Sequence, residues 1–219
     1  MSEYKFDRNT KMQYSNSNAE VIIVGITPGN TQLINNRENK SPEEIKRENA
    51  FAGGNMRRNL IDMLDYVGIN KVLHIPSCES IFENDFNKVE LTSLLKDATF
   101  EVKNDKEIMF NIPLKILSDK ILQKEFESGF INDCKKYKRA KLIVALGKEN
   151  QELLIIQKKE GKINSNIEII GIPHPSGANA GRVNAFLGKG KESKDSSYEW
   201  AKNAANEARE IIQRITMKK

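Results

Sequence analysis

The second of the chain's two histidines, His174, lies in the stretch GIPHPSGAN at residues 171–179, between Pro173 and Pro175. Each proline fixes φ and removes a backbone donor, while Gly177 permits close approach of another backbone or a ligand. What needs a histidine held that firmly is the question the stretch poses, and two prolines around a polar residue also make a plain turn at a strand end. A second loop, GITPGNTQ at 25–32, sets Gly25 and Gly29 around Pro28, so its backbone too can touch a ligand. An ordinary turn between strand and helix has the same look. TSLLK at 92–96 adds Thr92, Ser93 and Lys96. One alone is a weak signal; three converging loops would make a site.

Convergence depends on the elements that carry them. AEVIIVG (19–25), AKLIVALG (140–147) and NIEIIGIP (166–173) are short apolar, β-branched runs of the kind that form buried strands. KVLHI (71–75) and KVELTSLL (88–95) are further strand candidates. NMRRNLIDMLDYVG (55–68) places Met56, Leu60, Met63, Leu64 and Val67 at helical spacing, with Gly68 as its stop. KENQELLIIQKK and SYEWAKNAANEAREIIQRITMKK read as helices. Strands alternating with helices imply an α/β fold: a three-layer α/β/α sandwich around a mainly parallel central sheet, spanning 1–219 as one domain. TFEVKNDKEIMF (99–110) breaks the rhythm and reads as a hairpin around NDKE, an added arm. In such sheets ligands bind at the carboxyl ends of the strands, where all three loops emerge.

Composition narrows the classes. The 219 residues suffice for a core that needs no staples, and 38% hydrophobic against 30% charged residues describes a polar chain. No run approaches the ~18 apolar residues of a membrane span. MSEYKFDRNTKMQYSNSN has no apolar centre of a signal peptide, so a cytoplasmic protein is expected. Cys78 and Cys134 are far apart in sequence and read as buried thiols, with no Cys-ligated metal and no other cofactor expected. Lys and Arg outnumber Asp and Glu by 35 to 30, a net charge of +5 that is compatible with nucleic acid without requiring it.

The motifs resemble, in order, those of the uracil-DNA glycosylase superfamily, whose first motif is G-x-x-P-G or G-Q-D-P-Y and whose last is H-P-S. Between them, NAFAGGNMRRNLIDML (49–64) is similar to the P-F-x-G-x-x-G-x-L-L segment, VELTSLLK (89–96) to V-x-x-T-N-x-x-K, and LIVALGKENQELL (142–154) to the apolar strand ending in L-G. The matches run from about residue 20 to 190. The resemblance implies a single-domain monomer acting on DNA. Its function would be to flip a damaged or modified base into a pocket and hydrolyse the N-glycosidic bond, leaving an abasic site. It assigns base contacts to Ile26, Phe51 and Ser93, with Phe51 as the stacking plate, although a plain core role for Phe51 is also open. His174 would face the base's carbonyl oxygen and stabilise charge on the departing base. Ser176, Gly177, Asn179 and Arg182 would meet the DNA, and the basic run GKGKESK (188–194) either holds phosphates or is a solvated loop.

Departures from the pattern bear on the substrate. Where the family has Asp or Asn in its first motif this chain has Thr27, so Thr27 and the neighbouring Asn30 are the catalytic candidates there, Asn30 as a water-orienting group. Glu43, Glu44 and Glu48 are the nearest acidic residues, and a solvated helix face is the better account of them. Ser93 replaces the base-reading Asn, which enlarges the pocket and removes a paired contact. The substrate is therefore either uracil-like or a bulky modified cytosine, such as a glucosylated hydroxymethylcytosine of phage DNA. Two alternatives stand beside this reading: a non-catalytic nucleic-acid-binding module, and a nucleotide or nucleoside hydrolase, the latter without a P-loop or G-x-G-x-x-G to support it.

Overall fold

A computed structural model describes residues 3–8, 14–29, 40–189 and 195–217. Its strands are β1 (Glu3–Asp7), β2 (Val21–Gly25), β3 (Val89–Ser93), β4 (Ala98–Lys103), β5 (Lys106–Met109), β6 (Leu142–Leu146) and β7 (Glu168–Ile172). Its principal helices are α1 (Pro42–Asn49), α2 (Met56–Val67), α3 (Ile69–Leu73), α4 (Lys120–Phe126), α5 (Lys148–Lys159), α6 (Ala180–Phe186) and α7 (Ser196–Met217). Helix α4 continues through a π-helical segment, Glu127–Ile131, into a last α turn, Asn132–Cys134.

The central sheet has the order β3-β2-β6-β7, and every neighbouring pair is parallel. Alternation along each strand divides the core in two. Val21, Ile23, Leu142, Val144, Ile170 and Ile172 pack on the face covered by α2, α3, α6 and α7. Ile22, Val24, Ile143, Ala145 and Ile169 pack on the opposite face against α4, its π segment and α5. A sheet covered on both sides needs strands apolar on both faces, which is why VIIVG and LIVAL are nearly unbroken hydrophobic runs. The result is the expected three-layer α/β/α architecture. Cys78 lies in the first core and Cys134 in the second, both buried, with burial pushing both thiols up, Cys134 to about 12.

Two elements differ from the sequence reading. KVLHI is not a strand: Ile69–Leu73 is a short helix, and His74 ends it in the left-handed region with φ 54°. Gly68, with φ 91°, caps α2 and starts this second helix, so Ile69, Val72 and Leu73 are buried in the first core without a sheet neighbour. A short β-branched run fits either state when seen alone. The hairpin is present, turning at Asn104 and Asp105 with φ 49° and 59°, the pair of positive angles that a two-residue type I′ turn requires. It is no free arm, because β1 pairs antiparallel with β4 from Glu3↔Val102 to Asp7↔Ala98 and completes a three-stranded sheet. Among the described residues no helix is long and apolar enough to cross a membrane.

Candidate active site

Strand β2 ends at Gly25 and strand β3 at Ser93, in register with each other. Their pairing continues into the loops, with Leu94 N–H donating to the Gly25 carbonyl and Leu95 N–H to the Ile26 carbonyl, each at 2.9 Å. Past these ends lies a cavity of about 400 Å³. Ile26, Thr27, Phe51, Ser93 and His174 all line it, brought from the β2 loop, the segment after α1, the end of β3 and the loop after β7. Met109, at the end of β5, and Phe110 and Asn111 just after it form another part of its wall.

Thr27 is tied down on both sides. Its hydroxyl donates to the Asp97 carbonyl and accepts from Thr99 N–H, both at 2.9 Å. Its proton is therefore committed to the protein, and its visible task is to fasten the β2 loop to the start of β4. Asn30 lies outside the described residues. None of Glu43, Glu44 and Glu48 lines the cavity. Glu44 forms a capping box with Ser41 at the start of α1, and Glu48 pairs with Lys40 at 2.5 Å.

Phe51 takes a left-handed backbone, φ 56°, which a bulky side chain adopts only when its surroundings impose it. Arg57 of α2 braces the chain that leads into it. Its Nη2 lies 3.0, 2.8 and 2.8 Å from the carbonyl oxygens of Arg47, Glu48 and Ala50, and its Nε donates to Ala50 at 3.3 Å. These include carbonyls at the end of α1 that no helix partner can satisfy. The guanidinium also stands 4.4 Å above the Phe82 ring. Burial lowers its pKa from the ordinary value. Phe51 itself is half-buried and packs on the first core while lining the cavity.

Burial and a backbone contact both favour the neutral form of His174. Ser176 N–H donates to its Nδ1 at 3.3 Å, and burial lowers its pKa from the ordinary 6.5. A neutral imidazole that accepts at Nδ1 carries its proton on Nε2, so that edge is a donor. Asn59 of α2 clamps the loop by donating to the Pro175 carbonyl at 2.9 Å. The four residues expected to meet DNA lie farther along the chain, three in the loop and Arg182 in the first turn of α6, outside the cavity wall. Gly177 is exposed, Asn179 Nδ2 donates to Ser176 Oγ at 2.9 Å, and Arg182 bonds both Asn179 Oδ1 and, at 3.1 Å, Ser197 Oγ of α7. Of the basic run after α6, residues 190–194 lie outside the described residues.

Two lysines line the cavity as well, and the sequence reading gave neither a role. Lys46 of α1 donates to the Tyr14 carbonyl at 2.6 Å and forms a short ion pair with Glu90, at side-chain exposures of 7% and 1%. Burial pulls the Lys46 ammonium below its usual range against the attraction of Glu90. Lys96 pairs with Asp133 at 2.5 Å, with exposures of 13% and 10%. Burial pushes the Asp133 carboxyl up, and Lys136 and Lys96 outweigh it and hold it below the usual range. Lys96 sat inside the TSLLK segment; Lys46 was hidden in a helix whose sequence looks acidic and solvated.

Fold and cavity together define an α/β protein with a small-molecule-sized site at the carboxyl end of a parallel sheet, closed on one side by a three-stranded antiparallel sheet. No protein-family model matches the chain. It is similar to the Uncharacterized protein YoxB of Bacillus subtilis (strain 168), 28% identical over 192 residues that cover 82% of this chain and 73% of that protein. Among solved structures it is similar to wild-type Pedobacter heparinus SMUG2, with 14% identity, a TM-score of 0.47, and coverage of 90% of this chain and 76% of that one.

Proposed function

We propose that the protein is a DNA N-glycosylase that takes a flipped base into the cavity beside Phe51. One observation carries the reading: His174, whose Nδ1 accepts from Ser176 N–H, stands in the wall of the same cavity as Phe51, Ile26 and Ser93. A base entering there stacks on the Phe51 ring and takes a hydrogen bond from His174. Ser93 adds one polar contact to its edge. As the bond from the sugar C1′ to the base nitrogen breaks, both electrons leave with the base, and a preorganised donor is worth most at that moment because nothing must reorient. Water then adds to C1′ and leaves an abasic site. Thr27 keeps the β2 loop in place.

The size of the site bears on the base. Its volume of about 400 Å³ falls within the ~300–1,000 Å³ of pockets that hold whole small molecules. That is more room than an unsubstituted pyrimidine ring fills, so it admits a bulky modified base as well as plain uracil. A second reading, a non-catalytic base-binding module, is favoured by the lack of any carboxylate among the described residues that line the cavity.

An abasic-site assay on duplexes carrying uracil, hypoxanthine, mismatched thymine or substituted cytosines separates the two. Cleavage at any of them, abolished by Phe51→Asn with the fold intact, supports the glycosylase; asparagine tolerates the left-handed backbone and removes only the ring. Salt-sensitive binding without product from any duplex leaves the binding module.

A further inference from the structure

Both lysines line the cavity, and their carboxylate partners, Glu90 and Asp133, do not. Lys46–Glu90 is therefore a buried pair with its lysine on the cavity side, Asp133 stands between Lys96 on that side and Lys136 at 2.6 Å on the other, and Lys46 stands close enough to Lys96 and Asp133 to feel their charges. Burying four charged groups is costly, and an apolar substitute of similar volume is often as stable or more so, so stability is a weak reason to keep them here. A lysine carries three donors; Lys46 commits hydrogen bonds to the Tyr14 carbonyl and Glu90, which leaves one N–H for a ligand. Room for the Lys96 stem is built in: a Cβ on Gly129, in the π-helical segment, would lie 2.8 Å from Lys96 Cγ. Such π segments recur at functional sites.

We propose that Lys46 and Lys96 give the cavity a fixed positive polarity that binds the excised base as an anion and stabilises it as it departs. This rests on the proposed glycosylase reading and adds two catalytic residues to it. The bond between C1′ and the base nitrogen breaks with both electrons on the base. The ammonium groups and the His174 Nε2–H share that charge, a water oxygen bonds C1′, and its proton passes to solvent. The anion takes a proton from solvent on release. Substrates are then bases able to leave as anions, and bases that must first be protonated are excluded.

The test compares free 5-nitrouracil, an anion near neutral pH, with uracil, neutral there, by calorimetric titration of the wild-type protein. The anion should bind at least about tenfold tighter, a conservative figure for ion contacts in a low-dielectric site. The preference should vanish in Lys46→Met/Glu90→Gln, which removes its pair whole, and in Lys96→Met/Asp133→Asn, which leaves only the half-exposed Lys136 for water to solvate. In single-turnover cleavage, each double variant should slow uracil release roughly ten- to a thousandfold, the scale of one lost preorganised group. The more acidic 5-fluorouracil should be slowed much less. Equal affinity of the wild-type protein for the two free bases overturns the proposal, whatever the variants do. So does an equal rate loss for the two substrates. Anion preference without product from any duplex retains the positive cavity and removes the glycosylase reading.

Discussion

Arg57→Ala is the most informative single change, because it separates the support of Phe51 from Phe51 itself. The guanidinium serves three carbonyl oxygens at 2.8–3.0 Å and covers the Phe82 ring. Hydrogen bonds to a charged group contribute about 1.5–3 kcal/mol each when buried. Here the carbonyls are only partly buried and water can replace the lost donor, so the set is worth about 2 kcal/mol, with the ring contact adding about 0.5–1 kcal/mol. Against this, freeing Phe51 from its left-handed backbone returns about 1–2 kcal/mol. The net loss is about 0.5–2 kcal/mol, which for a chain of this length lowers Tm by roughly 1–8 °C. The functional effect should be larger than the thermal one. Once the strain is released, the ring leaves its position against the cavity, and an orientation lost by about 1.4 kcal/mol costs roughly tenfold in rate. Differential scanning fluorimetry gives the first number and single-turnover cleavage well below both Tm values gives the second. Arg57→Lys should recover part of the rate, since an ammonium can reach some of the same carbonyls. A variant with the expected fall in Tm and the wild-type rate would refute the positioning argument, and so would one with an unchanged Tm.

His174→Ala should reduce single-turnover cleavage roughly ten- to a thousandfold with duplex affinity little changed, and His174→Gln should restore part of the rate. His174 has a lowered pKa when folded, so the unfolded chain takes up its proton first. Stability should fall as pH drops below the ordinary imidazole value of 6.5, and denaturant titrations across that range should show a smaller fall in His174→Gln. Gly129→Ala should destabilise the protein by about 1–3 kcal/mol by overpacking against the Lys96 stem, and should slow cleavage without removing a charge; an unchanged Tm and rate would mean that Lys96 moves aside freely. Asp105→Gly should stabilise the hairpin by roughly 0.5–1 kcal/mol at its positive φ, as chemical denaturation would show, and leave cleavage unchanged.

The parts of this structure that were readable from sequence share one physical property: their local pattern determines their state. VIIVG and LIVAL are too apolar for anything but a strand covered on both sides, and KENQELLIIQKK forms a helix over all of Lys148–Lys159. KVLHI misled because five residues of mixed propensity take their state from packing, and Gly68 turns the chain so that Ile69, Val72 and Leu73 meet the first core. Strand β1 gave no signal because alternate residues of EYKFD are exposed and its pairing partner, β4, lies far along the chain. The site followed the same rule. Ile26, Thr27, Phe51, Ser93 and His174 belong to loops with marked chemistry and meet in one cavity. Lys46 and Arg57 had no such mark, and Lys96 was visible only as the end of a loop, since the significance of a lysine or arginine comes from what surrounds it.

The costly features of the fold are gathered at one end of the sheet. A phenylalanine with positive φ, a buried Lys46–Glu90 pair and a second pair at Lys96–Asp133 all adjoin or line the same cavity. The middle of the sheet, from Val21, Ile22, Ile23 and Val24 of β2 to their neighbours on β6 and β7, is packed from aliphatic side chains that carry no such cost. A fold under selection for stability alone gains nothing from that asymmetry, because apolar residues in place of the ion pairs would hold β3 and α1 together at least as well. Strain and buried charge persist where the surrounding structure over-determines them, and here the determinants can be named: Arg57 for the ring, Glu90 and Asp133 for the ammonium groups, and Asn59 with Ser176 for the imidazole. Each directs a group in the wall of the cavity at the cost of its own hydrogen-bonding freedom. That arrangement is expected where charge develops on a bound molecule faster than a solvent-like site could reorganise around it.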